Sequence, residues 1–295
     1  MALAVPLPTL TQRRRAKLFG VPIYWHFLSL DAPTVAVLWA WSFTHAAQIH
    51  TSASALAVLG IGTWLIYVTD RLLDGHAGRN NLRERHFFHA RHRRPFLITA
   101  AAATLALLGL ISIMPPTARC EDTLLFAVSM LYFAVVHLPI GRIRLSFPRE
   151  LAVGVLFACA TAVPAWSQPE SPHPALVLLI LLFAGLCCLN CLAIEIWERP
   201  LAPTRISLVT AIAICVADAS AAVMFAPNTR IPGQSRLAAA ALVSAIVILA
   251  LDRVHRRFAR QHAVQEETAS VLLALRIAAD AALLTPLLFV LPWRG

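Results

Sequence analysis

Apolar and polar positions alternate along this chain in long blocks. Nine apolar stretches run over approximately 27–47, 53–74, 95–114, 122–140, 150–168, 174–197, 205–226, 235–252 and 269–292, separated by short and mostly basic connections. Several approach or exceed the roughly 20 residues that a helix needs to cross the hydrocarbon of a bilayer. The stretch at 235–252 is the shortest. The first contains Asp31 and Pro33, which predicts a broken start.

Composition agrees with a membrane setting. Hydrophobic residues make up 59% of the 295 and charged residues only 14%, with a mean hydropathy of +0.70. Ordinary soluble domains carry roughly 25% charged residues. No large polar block interrupts the pattern, so the expectation is an all-α polytopic membrane protein forming a single domain over 1–295. Within it, 1–20 is a basic N-terminal segment and 75–94 a basic loop. The N-terminal basic cluster follows a weakly apolar stretch instead of preceding it, which is not the order of a signal peptide.

Six cysteines, Cys120, Cys159, Cys187, Cys188, Cys191 and Cys215, lie mostly inside apolar segments. Cys188 and Cys191 form a CxxC with no second CxxC or histidine pair, so they read as small packing residues rather than a zinc site or disulfide framework.

The net charge of +10 could suggest nucleic acid, but the positions of the charges argue for topology instead. Nineteen Lys and Arg residues fall in connections on one side of the predicted spans: the clusters at 13–17, 79–94, 142–149, 199–205 and 253–260. Only Arg119, Arg230, Arg236 and Arg294 fall on the other, and Arg71 and Arg276 lie within spans. Positive charge accumulates on the cytoplasmic side. The chain is therefore expected in the cytoplasmic (inner) membrane, with its N-terminus cytoplasmic and its C-terminus outside. Membrane lipids are the expected surroundings, and no nucleic-acid partner is expected.

That topology puts the segment Trp64–Asp74 at the cytoplasmic end of the second span. Asp70 and Asp74 stand four residues apart, so on a helix they lie within roughly 40° of each other. An Asp near the middle of a span costs about 2.5–3.5 kcal/mol, less towards the interface. A divalent cation coordinated by oxygen is one partner for such a pair; a wet helix end with Arg71 alongside is the plainer account. The sixth span ends on the same side with Asn190, Cys191, Glu195 and Glu198 on one arc of about 140°. Glu198 has a plain reading as an interfacial acid paired with Arg199.

Between these elements, residues 75–96 hold six arginines and four histidines, His76, His86, His89 and His92. Read as a helix from about Asn80, this loop is basic on most sides, with Phe87 and Phe88 able to dip into the interface. It either binds anionic lipid headgroups or neutralises a phosphate-bearing substrate, since Arg matches phosphate oxygens in bidentate geometry. The three-residue spacing of His86, His89 and His92 hints only weakly at metal.

Other ionisable residues fall within spans. Asp280 and Arg276 are spaced i, i+4 and are expected to pair. Asp31 reads as a cap for the helix that follows, and Asp218 should face a protein or water-filled interior. His137 has no second intramembrane histidine at matching depth and is discounted as a haem ligand.

The assembled pattern resembles the UbiA superfamily of intramembrane prenyltransferases. Its first signature, Asn-Asp-x-x-Asp-x-x-x-Asp at the end of the second helix, occupies the frame Ile66-Tyr67-Val68-Thr69-Asp70-Arg71-Leu72-Leu73-Asp74. The last two Asp match, and Ile-Tyr replaces the leading Asn-Asp. Arg94-Pro95-Phe96 looks like the Arg-Pro-Leu element that opens the family's third helix, and Arg149-Glu150-Leu151 opens the fifth span where members commonly place a basic residue. The second signature is approximated by Asn190, Glu195 and Glu198.

The resemblance implies about nine transmembrane helices in a UbiA-like bundle with a cytoplasm-facing cavity. It also implies Mg²⁺-dependent transfer of a prenyl group from a polyprenyl diphosphate to an aromatic or other lipophilic acceptor. Asp70, Asp74 and Glu195 are then the catalytic candidates. Asp70 and Asp74 would hold one metal, and Glu195 with Glu198 or Asn190 a second. Arg79, Arg83, Arg85 and Arg94 are candidates for the diphosphate.

Two other readings compete. Asp74-Gly75-His76-Ala77-Gly78-Arg79 echoes the opening of the CDP-alcohol phosphotransferase signature, but the required downstream aspartates are absent. A non-enzymatic protein, either a catalytically degenerate UbiA-like scaffold or a transporter, would rest on its intramembrane carboxylates; a transporter would depend on Asp31, Asp218 or Asp280.

Overall fold

A computed structural model of the protein describes residues 20–50, 52–76, 84–137, 149–169, 173–198, 205–225, 233–261 and 265–289. Among the described residues every regular element is a helix. A helical segment over 20–27 (α1) leads to α2 (Asp31–Ala46), α3 (Ala53–His76), α4 (Glu84–Arg91), α5 (Arg93–Ser112) and α6 (Pro116–His137). The chain continues through α7 (Arg149–Trp166), α8 (His173–Glu198), α9 (Arg205–Phe225), α10 (Gln234–Gln261), α11 (Gln265–Ala282) and α12 (Pro286–Phe289). Pro33, Pro95, Pro116, Pro174 and Pro286 all sit in the first turn of their helices, where a missing N–H costs nothing and a fixed φ helps.

Among the described residues each apolar stretch of the sequence is mainly helical. Five are long and apolar enough to cross a membrane: Ala53–Leu73, Arg93–Ser112, Pro174–Glu198, Gln234–Ala259 and Ser270–Phe289. Leu151–Trp166 and Ile212–Met224 are shorter apolar helices. Leu97, Ile98, Leu105 and Leu108 of α5, and Leu124, Phe126 and Leu131 of α6, are exposed. Helices that present Leu and Phe outward suit lipid rather than water, and the protein is read as an integral membrane protein of all-α class.

Two boundaries differ from expectation. The stretch expected to be shortest, 235–252, belongs to the longest helix, because α10 continues through the basic segment to Gln261. The i, i+4 pair of Asp252 and Arg256 supports that continuation. The last apolar stretch is split by a turn at 283–285. Such a break frees carbonyls that lipid cannot satisfy. Here Ser244 Oγ donates to the Ala282 carbonyl at 2.7 Å, and Trp39 Nε1 donates to that of Leu283 at 2.8 Å.

The core lies along α8. Trp39 of α2 stacks on Phe183 with centroids 4.3 Å apart, and Phe43 meets the same ring edge-on at 5.9 Å. α7 packs so closely on α8 that a Cβ at Gly154 would lie 2.8 Å from the Cys188 backbone nitrogen. α2, α3, α7, α8 and α11 thereby converge around one small polar interior.

Candidate functional site

The site begins where α1 breaks into α2, as Asp31 and Pro33 foretell. Ser29, in this break, has φ 60°, a left-handed conformation that a non-glycine residue adopts at a cost of order 1–3 kcal/mol. The buried turn brings together the His26 ring, the Ser29 hydroxyl and the Asp31 carboxylate. Asp31 Oδ1 accepts from the Ala32 amide at 3.0 Å, and Oδ2 takes His26 Nδ1 at 2.8 Å. Asp31 is not the helix cap that its position suggests, since Leu30 is the N-cap residue and no side chain caps the helix; it is the centre of an ion-pair network.

Arg71 supplies the positive charge. It is buried on α3, donating through Nη2 to Asp31 Oδ2 at 3.3 Å and through Nη1 to the His26 carbonyl at 2.8 Å and Ser29 Oγ at 2.7 Å. A forked guanidinium can make these bonds together where an ammonium cannot. Ser29 Oγ also lies 3.1 Å from His89 Nε2 of α4. With Arg71 donating to it, the hydroxyl has its proton free for an unprotonated Nε2. Burial, and then the charge of Arg71, push His89 down to about 3, so its ring is neutral. Phe96 stacks on that ring at 4.2 Å.

A second polar pair comes from the far side of the bundle. Asn190 of α8 donates through Nδ2 to Asp280 Oδ1 of α11 at 3.2 Å, and Asp280 Oδ2 lies 3.8 Å from His26 Nδ1. Asp31, Asp280, Asn190, Tyr67, Cys187, Cys191 and Gly154 are among the residues lining a cavity of about 40 Å³. That is room for roughly one to three waters or a small ion. Asn190 is 6% exposed, and its Oδ1 has no hydrogen-bond partner. His26, Asp31 and Asp280 each offer a ligand atom within 4.8 Å of the others, the one group of three such residues among the described residues.

The residues singled out from sequence fall into three sets. Asn190 reaches the cavity. Asp70, Glu195 and Glu198 are half-buried on α3 and α8, and these three do not converge on one point as the His26 group does. Glu198 Oε1 receives Arg276 Nη1 at 2.5 Å. Asp74 and Arg85 lie on α3 and α4, but their side chains are outside the described residues, as are Arg79 and Arg83 altogether; Arg94 is exposed at the start of α5.

Several expectations are corrected. Arg276 hydrogen-bonds Glu198, and its charge also acts on Asp280, which bonds Asn190 and lies near His26. Asp218 is exposed: Val209, Ala213, Val216, Ser220 and Val223 form the inner face of α9, and Asp218 lies about 200° around from Val216. Cys187 and Cys188 are buried packing residues, but Cys120 and Cys215 are exposed. Phe88 does not dip outward but stacks on Phe27 at 5.2 Å, while Phe87 is exposed.

Sequence reasoning missed the importance of His26 and the inward place of Arg71. The only local signal was the His26–Asp31 spacing across a break; the contacts with Arg71 and Asp280 span 45 and more than 250 residues. Comparison of the chain with protein-family models, curated proteins and solved structures finds no match.

Proposed function

We propose that this chain is an intramembrane prenyltransferase of UbiA-like architecture, with nine membrane helices, a cytoplasmic N-terminus and an external C-terminus. Its reaction is the transfer of a prenyl group from a polyprenyl diphosphate to an aromatic or other lipophilic acceptor. One observation carries the reading: α3 and α8 line the same cavity, through Tyr67 and through Cys187, Asn190 and Cys191. Asp74 follows Tyr67 by seven residues, and Glu198 follows Cys191 by seven. Two helical turns return to within about 20° of the same face, so both helices run from the cavity towards carboxylate-bearing ends.

The donor set is carboxylate and amide oxygen, which fits Mg²⁺. Asp70 and Asp74 would hold one ion and Glu195 with Glu198 or Asn190 a second, Glu198 contributing if it exchanges Arg276. When bound, Mg²⁺ supplies charge neutralisation for the diphosphate. The protein's own part is to bind and orient. Arg79, Arg83, Arg85 and Arg94 are the residues that would neutralise the leaving diphosphate as its oxygens gain charge. The allylic C–O bond breaks with its electron pair leaving on the diphosphate. The acceptor's π electrons form the new C–C bond, and the acceptor then loses a proton. Apolar helix faces exclude water, which would otherwise capture the cation.

The test is prenyl transfer by purified protein with Mg²⁺, wild type against an Asp70→Asn, Asp74→Asn double variant. Loss in the double variant supports the assignment; retained transfer contradicts it. A second reading, a carrier that binds its substrate or coupling ion at intramembrane carboxylates, is favoured by the meeting of Asp31 and Asp280 in one buried cluster. Under it Asp31→Asn and Asp280→Asn abolish function and the Asp70, Asp74 variant does not.

A further inference from the structure

We infer that His26, Asp31, Asp280 and Asn190 form a binding site for a divalent metal ion of the borderline class (Zn²⁺, Mn²⁺, Co²⁺), separate from the carboxylates at the ends of α3 and α8. The inference does not rest on the prenyl-transfer reading.

Three observations support it. First, His26 Nδ1, 2.8 Å from Asp31 Oδ2 and 3.8 Å from Asp280 Oδ2, belongs to a group whose ligand atoms all lie within 4.8 Å. Donors about 2.0–2.2 Å from a zinc-sized ion sit roughly 3–4 Å from one another, so small side-chain rotations close the set. Second, Asn190 Oδ1 is an additional oxygen on the same cavity, buried and without a hydrogen-bond partner. A buried carbonyl oxygen left without a donor costs about 1–3 kcal/mol, and a cation removes that cost.

The third observation is charge. Asp31 takes a hydrogen-bonded ion pair from Arg71, whereas the hydrogen bond to Asp280 comes from the neutral amide of Asn190, with Arg276 and Arg71 adding their charge nearby. Two carboxylates therefore share this cluster with one hydrogen-bonded guanidinium. A carboxylate so placed in a membrane bundle calls for a partner.

The donors select the ion. An imidazole nitrogen beside carboxylate oxygens suits Zn²⁺, Mn²⁺ or Co²⁺ better than Mg²⁺ or Ca²⁺, which favour oxygen alone. The metal takes the place of the Nδ1 proton that His26 now shares with Asp31, and His26 binds as the neutral tautomer that carries its proton on Nε2. The cavity of about 40 Å³ has room for the ion and a water.

The test is Co²⁺ titration of untagged, detergent-purified protein, followed by visible d–d absorption and by metal content per chain. The expected result is one Co²⁺ per chain that excess Mg²⁺ does not displace. Affinity should fall more than about tenfold in His26→Gln and Asp280→Asn and be unchanged in the Asp70→Asn, Asp74→Asn double variant. Asn190→Asp, which adds a charged oxygen in the same volume, should tighten binding; it keeps the test open if the other variants fail to fold. Absence of bound Co²⁺, binding indifferent to the His26, Asp280 and Asn190 substitutions alike, or binding lost only in the Asp70, Asp74 variant overturns the site.

Discussion

Arg71 holds Asp31 across the contact between α3 and α2, with Nη2 3.3 Å from Oδ2 and both groups buried. The same guanidinium ties down the α1–α2 break through the His26 carbonyl and Ser29. Removing one partner of a buried pair strands the other charge. Arg71→Met is expected to lower stability by about 3–5 kcal/mol. Arg71→Lys should restore the charge but not all three hydrogen bonds, and so recover only part of the stability. Denaturant unfolding in mixed micelles measures both.

His89 gives the protein a pH dependence. Its folded value of about 3 lies below the unfolded 6.5 because burial, and then Arg71, disfavour the charged ring. Below pH 6.5 the unfolded chain binds a proton that the folded chain does not. The contribution is therefore complete above pH 6.5 and is lost as pH falls from there towards 3. Thermal midpoints between pH 7.5 and 5 should fall more steeply in wild type than in His89→Gln. Equal slopes would contradict the neutral, buried His89.

Gly154 allows α7 and α8 to touch, and a Cβ there would meet Cys188 Sγ at 2.6 Å and its backbone. Gly154→Ala should destabilise by about 1–3 kcal/mol through overpacking. At Gly62 nothing lies within 4 Å of the added Cβ, so Gly62→Ala should be neutral or stabilising by up to about 1 kcal/mol. The difference in thermal midpoint between the two alanine variants checks the α7–α8 contact.

The Arg276–Glu198 bond links α11 to α8 at 2.5 Å. A double-mutant cycle with Arg276→Met and Glu198→Gln should give a coupling of about 0.5–3 kcal/mol. The corresponding cycle with Asp280→Asn should give less, since Asp280 bonds elsewhere.

The helices were legible in the sequence because long apolar runs leave few alternatives: over the described residues each of the nine runs is mainly helical, and Asp31 with Pro33 marks a true break. The site was legible only in pieces. Asn190 was singled out from its arc, and it lines the cavity; Asp31 and Asp280 were noticed but explained locally, as a cap and an i, i+4 pair. Local explanations failed because a buried carboxylate takes the best partner the whole bundle offers. His26 and Arg71 come to Asp31 across a break and across helices, and no periodicity encodes that. Asp218 was misjudged for a related reason: the inner face of α9 follows its Val and Ala positions, not its charge.

The most direct measurement is binding of a long-chain prenyl diphosphate to purified protein, with and without Mg²⁺, in wild type and Asp74→Asn. The proposed function predicts binding that requires Mg²⁺ and collapses in the variant. Metal-independent binding, or none across several chain lengths, would contradict it and favour a carrier or a scaffold built on the same helices.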